Sequence, residues 1–237
     1  FTVTKLNEEH FFIVGSGMAE RYHVRFFEMV PCPKSVSFKS LTEEMCGFNV
    51  AGPKSRELLS RMTQDDLSTE SWKFMRSRSI TIAGIDAIAI RVSFTGDLGW
   101  EIYVKTENQL KLYEALLDTG ADLGVRPVGG RSLLSLRVEK GYGSWGREYS
   151  PEYWPQEVGL ERLIKLDKPD FLGKEAYLKI KGLEPREKLV VLEVTADQDA
   201  DPVGGEPVFL KDGTPVGRVT SGAYGYTCDK SLAICMI

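Results

Sequence analysis

Residues 91–104 read RVSFTGDLGWEIYV, and this stretch limits what the chain can become more than any other. The run that leads into it, residues 85–92, is rich in β-branched side chains and reads as a strand. Residues 100–104 read as a second strand. Between them, Thr95-Gly96-Asp97-Leu98-Gly99 predicts a tight turn whose two glycines can take φ > 0 at no steric cost. The whole predicts a hairpin with a polar tip. Glu101 is its odd member, a carboxylate inside an otherwise apolar strand. Either it lies on the wet face of the hairpin, or it faces a pocket. A buried carboxylate needs partners, because desolvating it alone is costly. In a pocket it would accept a fork of two donors from a ligand.

The rest of the composition is that of an ordinary globular protein. The 237 residues suit one large domain or two smaller ones, with 42% hydrophobic and 27% charged side chains. A net charge of −4 makes no electrostatic case for nucleic acid or an anionic membrane. No apolar run approaches spanning length, and no signal-peptide layout begins at Phe1. Cys32, Cys46, Cys228 and Cys235 form no CxxC pair and read as buried small hydrophobes in a reducing compartment. His10 and His23 are the only histidines, and neither sits in metal-ligand spacing. The chain opens on FTVTKL and closes on SLAICMI, both strand-like, so both ends are expected to be truncated.

Along the chain, residues 11–14 predict a short strand, followed by Gly15-Ser16-Gly17, either a plain turn or a ligand cradle at a helix start. Residues 18–29 have mixed helical spacing and stop before Pro31. Residues 45–50 predict a strand, and Pro53 opens a helix whose core face is Leu58, Leu59 and Met62. Ala83-Gly84 predicts a hairpin turn. After the organising hairpin, Thr106 and Gln109 form a capping-box pair. Leu110, Tyr113 and Leu117 then give that helix its apolar stripe, and Gly120 ends it. A further helix over 131–140 carries Arg137 among leucines, which reads first as an exposed salt-bridging arginine. Residues 141–159 are rich in glycine and aromatics, suiting either a lid on a core or a wall for a flat ligand. A helix follows from 171, then a charged connector at 181–188, then strands at 189–194, 207–210 and 215–220. Lys211-Asp212-Gly213 turns between the last two. The domain boundary is expected near Leu183, giving regions 1–182 and 183–237.

Five motifs occur in one order: DLGWE, SLRVEKGYGSWG, PQEVGLE, DFLGKEAY and GTPVGRVTSGAY. In that order they resemble the folate-binding aminomethyltransferase family, which includes the glycine cleavage T-protein and the C-terminal halves of sarcosine and dimethylglycine dehydrogenases. The wording is nearer the dehydrogenase branch, and the resemblance covers nearly the whole chain. It implies an α+β folate-binding aminomethyltransferase-like fold followed by a C-terminal antiparallel β-barrel domain. It implies an enzyme that moves a one-carbon unit from a methylated-glycine-derived donor onto tetrahydrofolate, giving 5,10-methylenetetrahydrofolate. FAD is implied only if a flavin domain lies upstream, since no dinucleotide glycine fingerprint occurs here. The implied compartment is the cytoplasm, or the mitochondrial matrix in a eukaryote.

Residue by residue, the family's pterin-binding glutamate matches Glu101. Its nearby tyrosine is replaced by Phe94, which removes a hydroxyl and leaves packing. Its aromatic before glycine matches Trp145, a wall for the ring. Arg137 matches the arginine of its helix and would meet the folate tail or brace Glu139. Where the T-protein branch has an asparagine, this chain has Gly15 or Ser16, so Ser16 joins the implied folate set. The family's catalytic aspartate would fall immediately before Phe1. The contrasting expectation is a non-catalytic regulatory or scaffold relative of the same fold. Phe94 favours that expectation mildly and Glu101 opposes it.

Overall fold

The computed structural model describes residues 1–195 and 200–237. They pack into two compact units, Phe1–Pro127 and Val128–Ile237.

The first unit opens with a hairpin, β1 (Thr2–Lys5) against β2 (Phe11–Val14). Asn7 closes it by accepting the backbone N–H groups of Glu9 and His10, both at 2.9 Å. A 3-10 turn, Gly17–Ala19, then leads into α1 (Glu20–Met29). There follow β3 (Met45–Ala51), α2 (Ser55–Ser60), β4 (Ser77–Ile82), β5 (Ile85–Ile90), β6 (Gly99–Lys105) and α3 (Gln109–Thr119). The strands form an antiparallel sheet of order β3-β6-β5-β4. Side chains alternate between its faces. Ile80, Ile82, Ile85, Ala87, Ala89, Trp100, Ile102 and Val104 share one face and one core with Leu58, Leu59, Leu112 and Leu116 of the helices. The β4–β5 turn has positive φ at both central residues, Ala83 and Gly84, as the twist of a two-residue hairpin demands.

Three local expectations change. The connection between β5 and β6 runs over residues 91–98 and is no tight turn. Ser93 and Thr95 hydroxyls bond one another at 2.8 Å and Thr95 N–H donates to Ser93 Oγ, giving this loop its own bonds in place of a ladder. Leu98 O then accepts Gly52 N–H and the Ser55 hydroxyl, tying the loop to the start of α2. Of its two glycines only Gly96 has positive φ, while Gly99 begins β6, where a Cβ would lie 2.8 Å from Val50 O. The capping box does not form either. Thr106 Oγ1 donates to Glu43 O at 3.2 Å, and a 3-10 turn, Thr106–Asn108, precedes α3. The buried stripe of α3 is Leu112 and Leu116, whereas Leu110 and Tyr113 are exposed. Both stripes have helical spacing, so periodicity alone could not choose between them.

The second unit holds α4 (Gly130–Glu139), α5 (Lys174–Ile180), β7 (Leu189–Val194), β8 (Pro207–Phe209), β9 (Pro215–Gly225) and β10 (Lys230–Met236). Its sheet has the order β7-β10-β9-β8, antiparallel throughout. Val138 of α4 buries itself against Leu232 and Ile234 on one face. Val219, Ala233 and Cys235 form a second cluster with Val190, Leu192 and Val208. Because α4 packs on β9 and β10, residues 128–182 group with the C-terminal strands, and the packing divides upstream of Leu183. Cysteine burial departs from expectation in part: Cys235 is buried and Cys46 half-buried, but Cys32 and Cys228 are exposed; all four are free. Among the described residues, no helix is long and apolar enough to cross a membrane.

The connector before β7 is anchored by Glu157, which is 2% exposed. Glu157 Oε1 accepts Arg186 N–H and Nε, and Oε2 accepts Trp154 N–H and Arg186 Nη2. The Arg186 bonds, opposed by burial and aided by the backbone donors, lower the Glu157 pKa to about 2. In the unfolded chain this carboxyl titrates near its ordinary 4.5. Between those values the unfolded state binds more protons, so stability is intact above about pH 4.5 and is lost as pH falls toward 2. Urea midpoints should decline through that window, and Glu157→Gln should flatten part of the decline. An identical acid profile for the two proteins would contradict this anchor.

Candidate functional site

The site is built on β6. Trp100, Ile102 and Val104 point into the core, so Glu101 and Tyr103 project from the opposite face. On that face Glu101 pairs across the ladder with Ile90 and Asn49, and Tyr103 with Ile88 and Gly47. Ile90 is 1% exposed, Asn49 is exposed, and Glu101 between them is half-buried. The Tyr103 hydroxyl donates to Glu101 Oε2 at 2.6 Å. Burial, reinforced by the bond to Glu101 and its charge, pushes the Tyr103 pKa far up, so the hydroxyl keeps its proton and can donate. Phe12 of β2 meets the Tyr103 ring edge-on at 5.1 Å. Among the described residues, no donor reaches Glu101 Oε1. The arrangement is therefore a fixed carboxylate with one oxygen held and the other open to a donor-bearing ligand.

An open groove of about 990 Å³ lies beside this pair, lined in part by Met45, Ser79, Asp86, Ile88, Tyr103 and Lys105. Glu101 is not in its lining; Tyr103 stands between the two. Among the described residues, no cluster of His, Cys, Asp or Glu is arranged to hold a metal ion.

The other expected residues are spread over both units. Phe94 is half-buried in the 91–98 loop, between buried Ser93 and Thr95. Ser16 is half-buried, and its carbonyl accepts Ala19 N–H at 3.0 Å, which makes residues 15–19 a turn into α1. Trp145 and Arg137 belong to the second unit. Trp145 is 41% exposed and bridges in parallel to Tyr149.

Arg137 requires a correction. It is fully buried, and its partners are Tyr142 O, Glu148 and Ser221, not Glu139. Glu139 instead accepts the backbone N–H groups of Thr227 and Cys228. Arg137 is thus neither an exposed ion-pairing residue nor a brace for Glu139, and it offers no solvent-facing donor to a folate tail. Two residues of consequence escaped the sequence reading. Tyr103 stands two residues from Glu101 on a strand, a same-face spacing that was legible. Glu148 follows Arg137 by eleven residues through an irregular loop, and no periodicity links them.

The first unit thus bears an oriented carboxylate on a strand face, and the second closes on an antiparallel sheet. The chain belongs to the glycine cleavage T-protein family. Residues 1–168 match the GCVT N-terminal domain, and residues 187–237 match the glycine cleavage T-protein C-terminal barrel domain. Mitochondrial dimethylglycine dehydrogenase of Homo sapiens is 38% identical over 232 residues, which cover 97% of this chain and 26% of that protein. An aminomethyltransferase of Thermoanaerobacter pseudethanolicus is 30% identical over 235 residues, 99% of this chain and 63% of that one. The crystal structure of glycine cleavage system aminomethyltransferase T from Bartonella henselae matches with a TM-score of 0.69 at 26% identity, over 81% of this chain and 51% of that chain. The chain thus spans about a quarter of the dehydrogenase and less than two thirds of the aminomethyltransferase.

Proposed function

We propose that this chain binds tetrahydrofolate and moves an aminomethyl-type one-carbon unit onto it, giving 5,10-methylenetetrahydrofolate. The observation that carries the proposal is the Glu101 carboxylate, which accepts Tyr103 with one lone pair of Oε2 and keeps that oxygen's other lone pair and Oε1 open. A pterin presents a ring N–H and an exocyclic amino group side by side, and a carboxylate accepts both as a charge-assisted pair. The donor set therefore fits the group. Tetrahydrofolate supplies the nitrogen that takes the one-carbon unit; the residues here bind and orient it. The family likeness keeps Ser16 and Trp145 in the proposed folate set and favours a methylated-glycine-derived donor. It also favours a flavin domain elsewhere in the polypeptide and a cytoplasmic or matrix setting. The matches to two successive family domains, 1–168 and 187–237, favour a boundary near Leu183 between inherited modules.

The test uses the whole polypeptide. Titration with tetrahydrofolate should saturate, and adding a methylated glycine with an electron acceptor should yield 5,10-methylenetetrahydrofolate. A chain that neither binds folate nor forms product would return to the scaffold expectation. A smaller effect belongs to Phe94. Phe94→Tyr should leave the melting temperature intact and folate affinity unchanged or a few-fold tighter. A drop of roughly 1–3 kcal/mol in stability would place the ring in a dry core, where a hydroxyl goes unpaired.

A further inference from the structure

We propose that Tyr103 is a positioning residue for ligand recognition, fixing the Glu101 carboxylate so that Oε1 and the remaining lone pair of Oε2 are presented to the pterin donors; this rests on the folate reading of Glu101. A glutamate on a strand face has three side-chain torsions, and an unrestrained carboxylate presents its oxygens in many directions. Here one oxygen is taken by the Tyr103 hydroxyl at 2.6 Å, a short charge-assisted bond.

The tyrosine is itself held from two sides. Phe12 meets its ring at 5.1 Å with an interplanar angle of 71°. Across the ladder stands Gly47, where a Cβ would come 2.8 Å from Tyr103 Cε1 and 3.1 Å from Cδ1. The ring occupies the space that any other residue at 47 would fill. Gly47 is needed here for close approach and not for positive φ. Glycine on β3, phenylalanine on β2 and tyrosine on β6 thus form one chain of contacts ending on the carboxylate. The hydroxyl also stays protonated, so it keeps its donated bond to the carboxylate.

The experiment measures tetrahydrofolate affinity by calorimetry on the full-length protein and on Tyr103→Phe, Glu101→Gln and the double variant, with melting temperatures for each. Tyr103→Phe should bind about fivefold to tenfold more weakly with its melting temperature unchanged, and should lose nothing further in the Glu101→Gln background. Gly47→Ala, which keeps the hydroxyl and displaces the ring, should weaken binding in the same way and likewise lose its effect beside Glu101→Gln. An unchanged affinity for Tyr103→Phe, with Glu101→Gln weakened, overturns the positioning role alone. Losses that add in the double variant overturn it too, since Tyr103 would then act without Glu101. If Glu101→Gln binds as tightly as the parent, the folate reading of Glu101 fails and takes this proposal with it.

Discussion

Replacing Arg137 with methionine should destabilise the second unit by about 3–5 kcal/mol, the largest effect expected of any single change here. Arg137 on α4 and Glu148 in the following loop are both fully buried. Arg137 Nη1 donates to Glu148 Oε2 at 3.1 Å and to Tyr142 O at 2.9 Å, while Nη2 donates to Ser221 Oγ at 2.5 Å. Glu148 also accepts the Ser144 N–H and the Ser221 and Thr220 hydroxyls. Burial opposes its ionisation, but the bonds from Ser221, Ser144 and Thr220 and the charge of Arg137 outweigh burial and keep its pKa below the ordinary glutamate range. Methionine fills much of the arginine volume, so the cavity cost is small and the loss is electrostatic. What remains is a buried carboxylate without its cation, which is why removing one partner costs more than the pair itself contributes. Urea unfolding of the variant and the parent at neutral pH checks this. A loss under about 1 kcal/mol would mean that the hydroxyl and amide donors suffice for Glu148 without the charge.

The same pair shows where sequence reasoning reached its limit. Strand existence was legible because β-branched runs with period-2 alternation bury one face, and the β4–β5–β6 order follows from short connections between them. The family motifs fixed the fold class, since their order spans both units. Arg137 was misplaced because its partners come from an irregular loop and from Ser221 on β9, brought together only by packing. The α3 stripe was misplaced because Leu110/Tyr113/Leu117 and Leu112/Leu116 satisfy helical spacing equally well, and only the docked sheet selects one. The 91–98 loop was misread because serine and threonine hydroxyls replace ladder bonds there, which a glycine count does not reveal. Glu101 was singled out by its chemistry, a carboxylate among apolar strand residues, and the structure sets it half-buried on the strand face beside Tyr103. Tyr103 was within reach of the same period-2 reasoning.

The second large effect concerns ligand affinity. If Glu101 forks the pterin, Glu101→Gln replaces one acceptor oxygen with an amide nitrogen that faces a donor. The charge-assisted bonds become at best one neutral bond and one repulsive contact. The fold should be untouched, because Glu101 is half-buried and lies outside the core cluster. Its one internal bond, from the Tyr103 hydroxyl, can be accepted by the glutamine carbonyl. The most direct measurement is calorimetric titration of tetrahydrofolate into the full-length protein and its Glu101→Gln variant at matched pH and salt. Glu101→Gln should bind roughly tenfold to a hundredfold more weakly, about 1.4–3 kcal/mol, with an unchanged melting temperature. Equal affinity for both proteins would contradict the assignment of Glu101 as the pterin acceptor.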